Sequence, residues 1–200
     1  MKTNRKTAVF LDRDGTLNFD PGYLSKAKHF RFLPSVKPAL RMLVACGLDL
    51  FVVSNQSGIG RGLITQQELK KIHSKMTREL KASGVVLKGI FICPHSPADG
   101  CACRKPSPKL ILKAVRRHRL NLWNSYIVGD KLTDVETGVR AGLQTVLIAR
   151  KKSSPDAAIR PYHVAKNLMG AAKWIIERHK ILDAGYSTGK RIQHDGERNR

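Results

Sequence analysis

Acidic residues are scarce in this chain: 15 Asp and Glu stand against 37 Lys and Arg in 200 residues, a formal net charge of +22. Successive blocks of fifty carry +5, +4, +7 and +6, so no basic tail accounts for the excess. Aromatic residues are also few, at 6%. A nucleic-acid protein is expected to add stacking residues or a recognisable module to its charge, and neither is present. Steering of a small polyanion, or a general basic bias, is the more economical reading. No apolar run approaches the length of a membrane span, and the basic start Met1 to Lys6 has no signal-peptide core behind it. The four cysteines do not make a secreted disulfide framework, because three cluster between residues 93 and 103 and Cys46 lies alone in an apolar helical stretch. Internal repeats and low-complexity tracts are lacking. A soluble, cytoplasmic protein with no membrane partner is the expectation, as one domain with a full core or one domain and a small appendage.

Short, apolar, β-branched-rich runs alternate with helical patterns. Strands are expected at Ala8 to Asp12, Leu48 to Ser54, Gly89 to Cys93, Ser125 to Asp130 and Thr145 to Ala149, with a weak one around His163 to Ala165. Between them, Pro34 to Cys46 has helical period and stops at Gly47. Thr65-Gln66-Gln67-Glu68 is a capping box opening a helix to about Ser83. Ser107 is placed to cap a helix to His118, Thr133 to begin one ending near Gly142, and Asn167 to cap one through His179. This rhythm predicts an α/β fold, a doubly wound parallel sheet covered on both faces, with no segment long enough for a separate lid domain. The domain is expected over residues 1–181, and the polar, Gly-rich 182–200 reads as a flexible tail.

Chemistry gathers where those strands end. Ala8-Val9-Phe10-Leu11 runs into Asp12-Arg13-Asp14-Gly15-Thr16, two carboxylates at the end of a buried strand, where open α/β sheets bind ligands. A polar turn is the alternative. A half EF-hand fails, since its fifth and twelfth positions would be Thr16 and Tyr23. The second strand ends in Ser54-Asn55-Gln56-Ser57 and a glycine run, Gly58, Gly60 and Gly62. The fourth ends in Gly129-Asp130-Lys131, with Asp134 close behind as a solvated or supporting residue. The glycines form neither a phosphate-binding Walker loop nor a dinucleotide fingerprint. Acidic groups, a hydroxyl, amides and lysines at one sheet edge suit a hard cation and a phosphate.

Between the third strand and Arg104-Lys105 lie Cys93, His95, Cys101 and Cys103, four soft ligands within eleven residues. They suffice for a closed tetrahedral Zn²⁺ site of Cys₃His type. Reactive thiols or a Cys101–Cys103 disulfide are the competing readings, the second disfavoured by a reducing compartment and short spacing. A closed site has no open position for catalysis, so its expected task is to hold loop 93–103, and with it two cations, over the strand ends.

Together Asp12-x-Asp14-Gly15-Thr16, Ser54-Asn55, Lys105 and Gly129-Asp130 with Asp134 resemble the haloacid-dehalogenase superfamily of aspartyl-phosphate hydrolases. The zinc-loop pattern narrows the resemblance to its heptose-bisphosphate and histidinol-phosphate phosphatase families. Asn18-Phe19-Asp20-Pro21-Gly22-Tyr23, Asn55 through Gly62, and Gly129-Asp130-Lys131 are similar to the heptose family, whereas Lys109-Leu110 is nearer the histidinol one. The resemblance spans about residues 7 to 180 and implies a Rossmann-like fold without a large cap. It further implies Asp12 as nucleophile, Asp14 as acid and then base, and Mg²⁺ held by Asp12, the Asp14 carbonyl and Asp130. Ser54, Asn55 and Lys105 would take the phosphoryl oxygens. Asp20, Gly22, Tyr23, Gln56, Ser57, Arg104 and Lys131 would meet the sugar or a second phosphate. The implied substrate is a small sugar bisphosphate used in activated-heptose supply, and the implied acting unit is a monomer. A phosphatase acting on DNA 3′ ends would use the same catalytic residues, and the +22 charge would suit it.

Overall fold

Ala8–Leu11 (β1) carries no polar side chain and is wholly buried, as a strand covered on both faces must be. It occupies the middle of a six-stranded sheet in the computed structural model, which describes residues 6–149 and 159–187. The other elements are Val36–Ala45 (α1), Asp49–Asn55 (β2), Gln66–Ala82 (α2), Gly89–Cys93 (β3), Lys109–His118 (α3), Tyr126–Gly129 (β4), Leu132–Ala141 (α4), Gln144–Ile148 (β5), His163–Ala165 (β6) and Leu168–Ser187 (α5). Strand order is β3-β2-β1-β4-β5-β6, every pairing parallel. The chain winds outward from β1 to β3, then crosses back to β4. That reversal beside β1 opens a crevice at the carboxyl ends of β1, β2 and β4.

Alternation along the strands divides the core in two. Val9, Leu11, Leu50, Val52, Tyr126 and Val128 face Leu40 and Leu43 of α1, Ile72 and Met76 of α2, and Ala172 and Ile175 of α5. Ala8, Phe10, Phe51, Val53 and Ile127 face Leu110, Ile111 and Ala114 of α3 and Ala141 of α4. Gly138 lets α4 approach closely, since a Cβ there would meet Ile127 Cγ2 at 2.3 Å. Lys109, Lys113 and Arg116 lie exposed on the outer face of α3, away from that core.

The expected elements all form, and their boundaries move for local reasons. The capping box at Thr65 is present, with Glu68 N–H donating to Thr65 Oγ1 at 3.1 Å and Thr65 N–H to Glu68 Oε2 at 2.8 Å. Ser107 Oγ accepts from Lys109 N–H at 3.3 Å and donates to Ala102 O at 2.7 Å, fastening α3 to the preceding loop. Helix α4 starts at Leu132 rather than Thr133, because Asp134 accepts the N–H of Lys131 at 3.2 Å. Asn167 Oδ1 accepts from Gly170 N–H at 3.0 Å and caps α5. That helix continues past His179 to Ser187, so the first residues of the expected tail are helical, and 188–200 lie outside the described residues. Among the described residues no helix is long and apolar enough to cross a membrane.

Candidate active site

Asp12 follows β1, its N–H bonded to Val128 O at 2.9 Å, and it is 5% exposed. Lys105 reaches it from the loop after β3. The ammonium lies 2.6 Å from Asp12 Oδ1, 2.5 Å from Asp134 Oδ1 and 3.0 Å from Val53 O, which uses all three of its N–H donors. Burial pushes the Asp12 carboxyl up, Lys105 pulls it down, and Asp134 and Asp14 push it up again, to about 6. Burial opposes the charge on Lys105, but Asp12 and Asp134 more than reverse that and hold its proton firmly. Asp134 is 1% exposed and bound to Lys105, so of its two expected roles, solvated or supporting, it takes the supporting one.

Asp130 sits across from Asp12 at the end of β4, its carboxyl raised by burial and by Asp12. Its Oδ1 is buried and has no hydrogen-bond partner among the described residues. Carboxylate oxygens of Asp12, Asp130 and Asp134 lie within 4.8 Å of one another. Three carboxylates and one ammonium leave two negative charges, an arrangement a divalent cation with oxygen ligands would balance. Gly15 makes the approach possible: its φ is +85°, and a Cβ there would fall 2.2 Å from Asp130 Oδ2.

Asp14 occupies a second, separate cluster. Arg13 grips it with Nε–Oδ1 at 3.1 Å and Nη2–Oδ2 at 2.8 Å, Asn18 Nδ2 donates at 2.9 Å, and Gln56 Nε2 donates at 2.8 Å. Burial raises this carboxyl, but the Arg13 charge and these donors outweigh it and hold Asp14 below the usual range. Gln56 also donates to Ser54 Oγ at 2.9 Å and accepts from Arg13 Nη2 at 2.8 Å. His73 on α2 is lowered to about 4 by burial and then by Arg13, so its neutral ring receives Arg13 Nη1 at 3.2 Å.

The other expected residues divide between the floor and the rim. Asn55 spends both ends of its amide on the Lys105 backbone, accepting from N–H at 3.0 Å and donating to C=O at 3.2 Å. Its side chain thus fixes the position of Lys105, and Gln56, 4% exposed, is engaged below the surface. Ser54 is buried and Ser57 half-buried. At the rim, Asp20 Oδ1 accepts from Gly22 N–H at 2.9 Å, Lys131 Nζ lies 3.4 Å from Asp20 Oδ2, and Tyr23 is exposed. Arg104 Nη1 donates to His95 O at 3.3 Å.

Cys93, His95, Cys101 and Cys103 converge beside Lys105. Sγ–Sγ distances are 3.4 and 3.7 Å, and His95 Nδ1 lies 3.6 and 3.4 Å from Cys93 and Cys103. The thiols are free, too far apart for S–S bonds of about 2 Å. Ligands about 2.3 Å (S) and 2.0 Å (N) from a central zinc would stand roughly 3.5–3.8 Å apart, so the quartet has the size of a tetrahedral metal site. Burial pushes Cys93 up to about 12. Burial also raises Cys101, but hydrogen bonds led by the Cys103 backbone and the Cys93 thiol reverse it to about 7.

Arg13, Asn18 and His73 were not among the expected site residues. His73 carried a signal: it falls four residues after Leu69 and three before Met76, on the buried face of α2.

Residues 102–171 match a family model described as HAD-hydrolase-like. The D-glycero-beta-D-manno-heptose-1,7-bisphosphate 7-phosphatase of Yersinia pestis is 38% identical over 187 residues, 89% of this chain and 100% of the relative. The Escherichia coli K12 protein of the same name is 40% identical over 159 residues, 75% of this chain and 83% of its own. The chain belongs to this heptose-bisphosphate phosphatase family of HAD-like hydrolases. Its members are phosphoric monoester hydrolases. A crystal structure of the D,D-heptose 1,7-bisphosphate phosphatase from B. bronchiseptica with magnesium and phosphate has the same fold, with a TM-score of 0.79 and 32% identity over 86% of this chain and 98% of that one. The sheet of the present chain thus has the fold of a heptose-bisphosphate phosphatase.

Proposed function

We propose that this protein is a cytoplasmic phosphatase that removes the C7 phosphate of D-glycero-β-D-manno-heptose 1,7-bisphosphate through a phosphoaspartate on Asp12. The sugar follows from the relatives' names. The observation that carries the chemistry is the buried Asp12 held at 2.6 Å by Lys105, with Asp14 kept apart in its own cluster. One group is thereby free to attack phosphorus and the other to carry a proton.

Asp12, Asp130 and the Asp14 backbone carbonyl would hold Mg²⁺, while Asp134 is already claimed by Lys105. The unpartnered Asp130 Oδ1 fits that role. Bound there, Mg²⁺ supplies charge neutralisation that lets a carboxylate and a phosphate approach. In the first step an Asp12 oxygen bonds to phosphorus and the P–O bond to the sugar breaks. The bonding pair leaves on the sugar oxygen, which takes a proton from Asp14. In the second, water bonds to phosphorus and gives its proton to Asp14, while the Asp12–phosphorus bond breaks and returns the carboxylate. The phosphate's negative charge beside Asp14 favours the protonated form the first step needs.

Ser54 accepts from Gln56, which leaves its O–H to donate to a phosphoryl oxygen. Lys105 balances charge at the reacting centre. Asp20, Gly22, Tyr23, Ser57, Arg104 and Lys131 form the rim toward the sugar and the second phosphate. Cys93, His95, Cys101 and Cys103 would hold a structural Zn²⁺, anchoring the Lys105 loop. The acting unit is one chain, residues 1–181, with a small-molecule substrate and no nucleic acid.

Phosphate release in Mg²⁺ from heptose 1,7-bisphosphate, histidinol phosphate and a 3′-phosphorylated oligonucleotide tests this reading. Turnover of the heptose bisphosphate far above the others is expected; preference for either alternative overturns the substrate assignment.

A further inference from the structure

The residue between the two aspartates lies inside the protein, not at the mouth of the site. Arg13 is 1% exposed, and every nitrogen of its guanidinium is engaged: Nε and Nη2 with Asp14, Nη2 also with Gln56, Nη1 with His73. A planar guanidinium joined to a carboxylate by two bonds fixes its rotation as well as its position. His73 fixes the guanidinium in turn, from a helix rooted in the core by Leu69, Ile72 and Met76.

We propose that Arg13 and His73 are positioning residues for the proton-carrying group: His73 orients Arg13, and Arg13 aims Asp14 at the oxygen that leaves phosphorus and at the water that follows. The inference rests on the reading of Asp14 as acid and base. Arg13 Nε and Asn18 Nδ2 hold Oδ1 while Arg13 Nη2 and Gln56 Nε2 hold Oδ2, so the plane of the carboxyl is fixed from both sides. Neither Arg13 nor His73 reaches Asp12, so loss of the pair leaves attack on phosphorus intact and impairs proton delivery.

A comparison of leaving groups separates these steps. p-Nitrophenolate departs without a proton, whereas a sugar alkoxide requires one. Single-turnover release with enzyme in excess and Mg²⁺ present is measured for p-nitrophenyl phosphate and for the sugar phosphate, in wild type, Arg13→Met, His73→Leu and His73→Gln. Arg13→Met and His73→Leu are expected to slow sugar release by about 10- to 100-fold, within the range of general acid catalysis. p-Nitrophenolate release should stay within about threefold and KM should hardly move, since no uniform binding is lost. His73→Gln keeps an acceptor for Arg13 and should restore most of the sugar rate. His73 borders an open cleft of about 500 Å³ with Ile59, Leu69 and Pro94, so His73→Leu carries the test even if Arg13→Met fails to fold. Equal slowing of both substrates, or slowing of neither, overturns the proposal. Failure of the underlying reading looks different: Asp14→Asn would then slow the release of sugar and of p-nitrophenolate alike.

Discussion

Lys105 and Asp12, 93 positions apart in the chain, meet in the core with Nζ 2.6 Å from Oδ1. The same ammonium binds Asp134 at 2.5 Å, so one cation serves two buried carboxylates. Removing one partner of a buried ion pair leaves an uncompensated charge, which costs about 3–5 kcal/mol. Lys105→Met should therefore lose stability of that order at neutral pH and lose turnover with it. The deficit should shrink toward pH 4, where Asp12, raised by burial to about 6, takes up a proton. Thermal unfolding as a function of pH measures this, and a variant as stable as wild type at pH 7 would contradict it.

Asp12 itself is expected to burden the fold before Mg²⁺ binds. Its carboxyl is raised from 3.8 to about 6, chiefly by burial. Between those values the folded state holds a proton that the unfolded chain has released, so raising the pH through this window removes stability. Asp12→Asn escapes that loss. In Mg²⁺-free buffer the variant should match wild type near pH 4 and exceed it above pH 6, while turnover disappears. Saturating Mg²⁺ should narrow the gap by stabilising wild type. A variant less stable than wild type at pH 7 without Mg²⁺ would show that Lys105 outweighs burial.

The metal loop should couple stability to activity. Cys101 and Cys103 stand directly before Arg104 and Lys105, and Asn55 binds the Lys105 backbone at both N–H and C=O. Loosening the four ligands frees this loop and restores its conformational entropy. Purified protein is expected to contain one zinc per chain by elemental analysis. Chelation or Cys101→Ser should lower the melting temperature and turnover together; full activity in metal-stripped protein would remove the link between loop and site.

The layers and the strand ends were legible because both rest on short-range rules. Ala8-Val9-Phe10-Leu11 announces a doubly covered strand, and Thr65 with Glu68 announces a helix start. Asp12, Asp14, Ser54 and Asp130 follow from being next to such strands. Partner choice was not legible. Asn55 and Gln56 read as substrate amides, yet one binds the Lys105 backbone and the other bridges Ser54 and Asp14. Such choices depend on which group arrives from 42 or 50 residues away in the chain. Arg13 was hidden for another reason, because an arginine beside two carboxylates reads as a surface charge until a buried acceptor such as His73 is known.

Gly15 offers a test confined to the cation site. It holds φ at +85°, and a Cβ there would lie 2.2 Å from Asp130 Oδ2 and 2.6 Å from Asp130 Cγ. Gly15→Ala must therefore shift the carboxylate or the turn that carries the Asp14 carbonyl, besides the strain of a left-handed alanine of roughly 1–2 kcal/mol. Either movement spoils oxygen ligands whose cation tolerates little departure from octahedral geometry. The Mg²⁺ concentration for half-maximal activity should rise at least about tenfold, and excess Mg²⁺ should recover part of the rate. The zinc content should not change, because the cysteine quartet lies beyond Lys105. An unaltered Mg²⁺ requirement in a folded Gly15→Ala protein would remove Asp130 and the Asp14 carbonyl from the cation site.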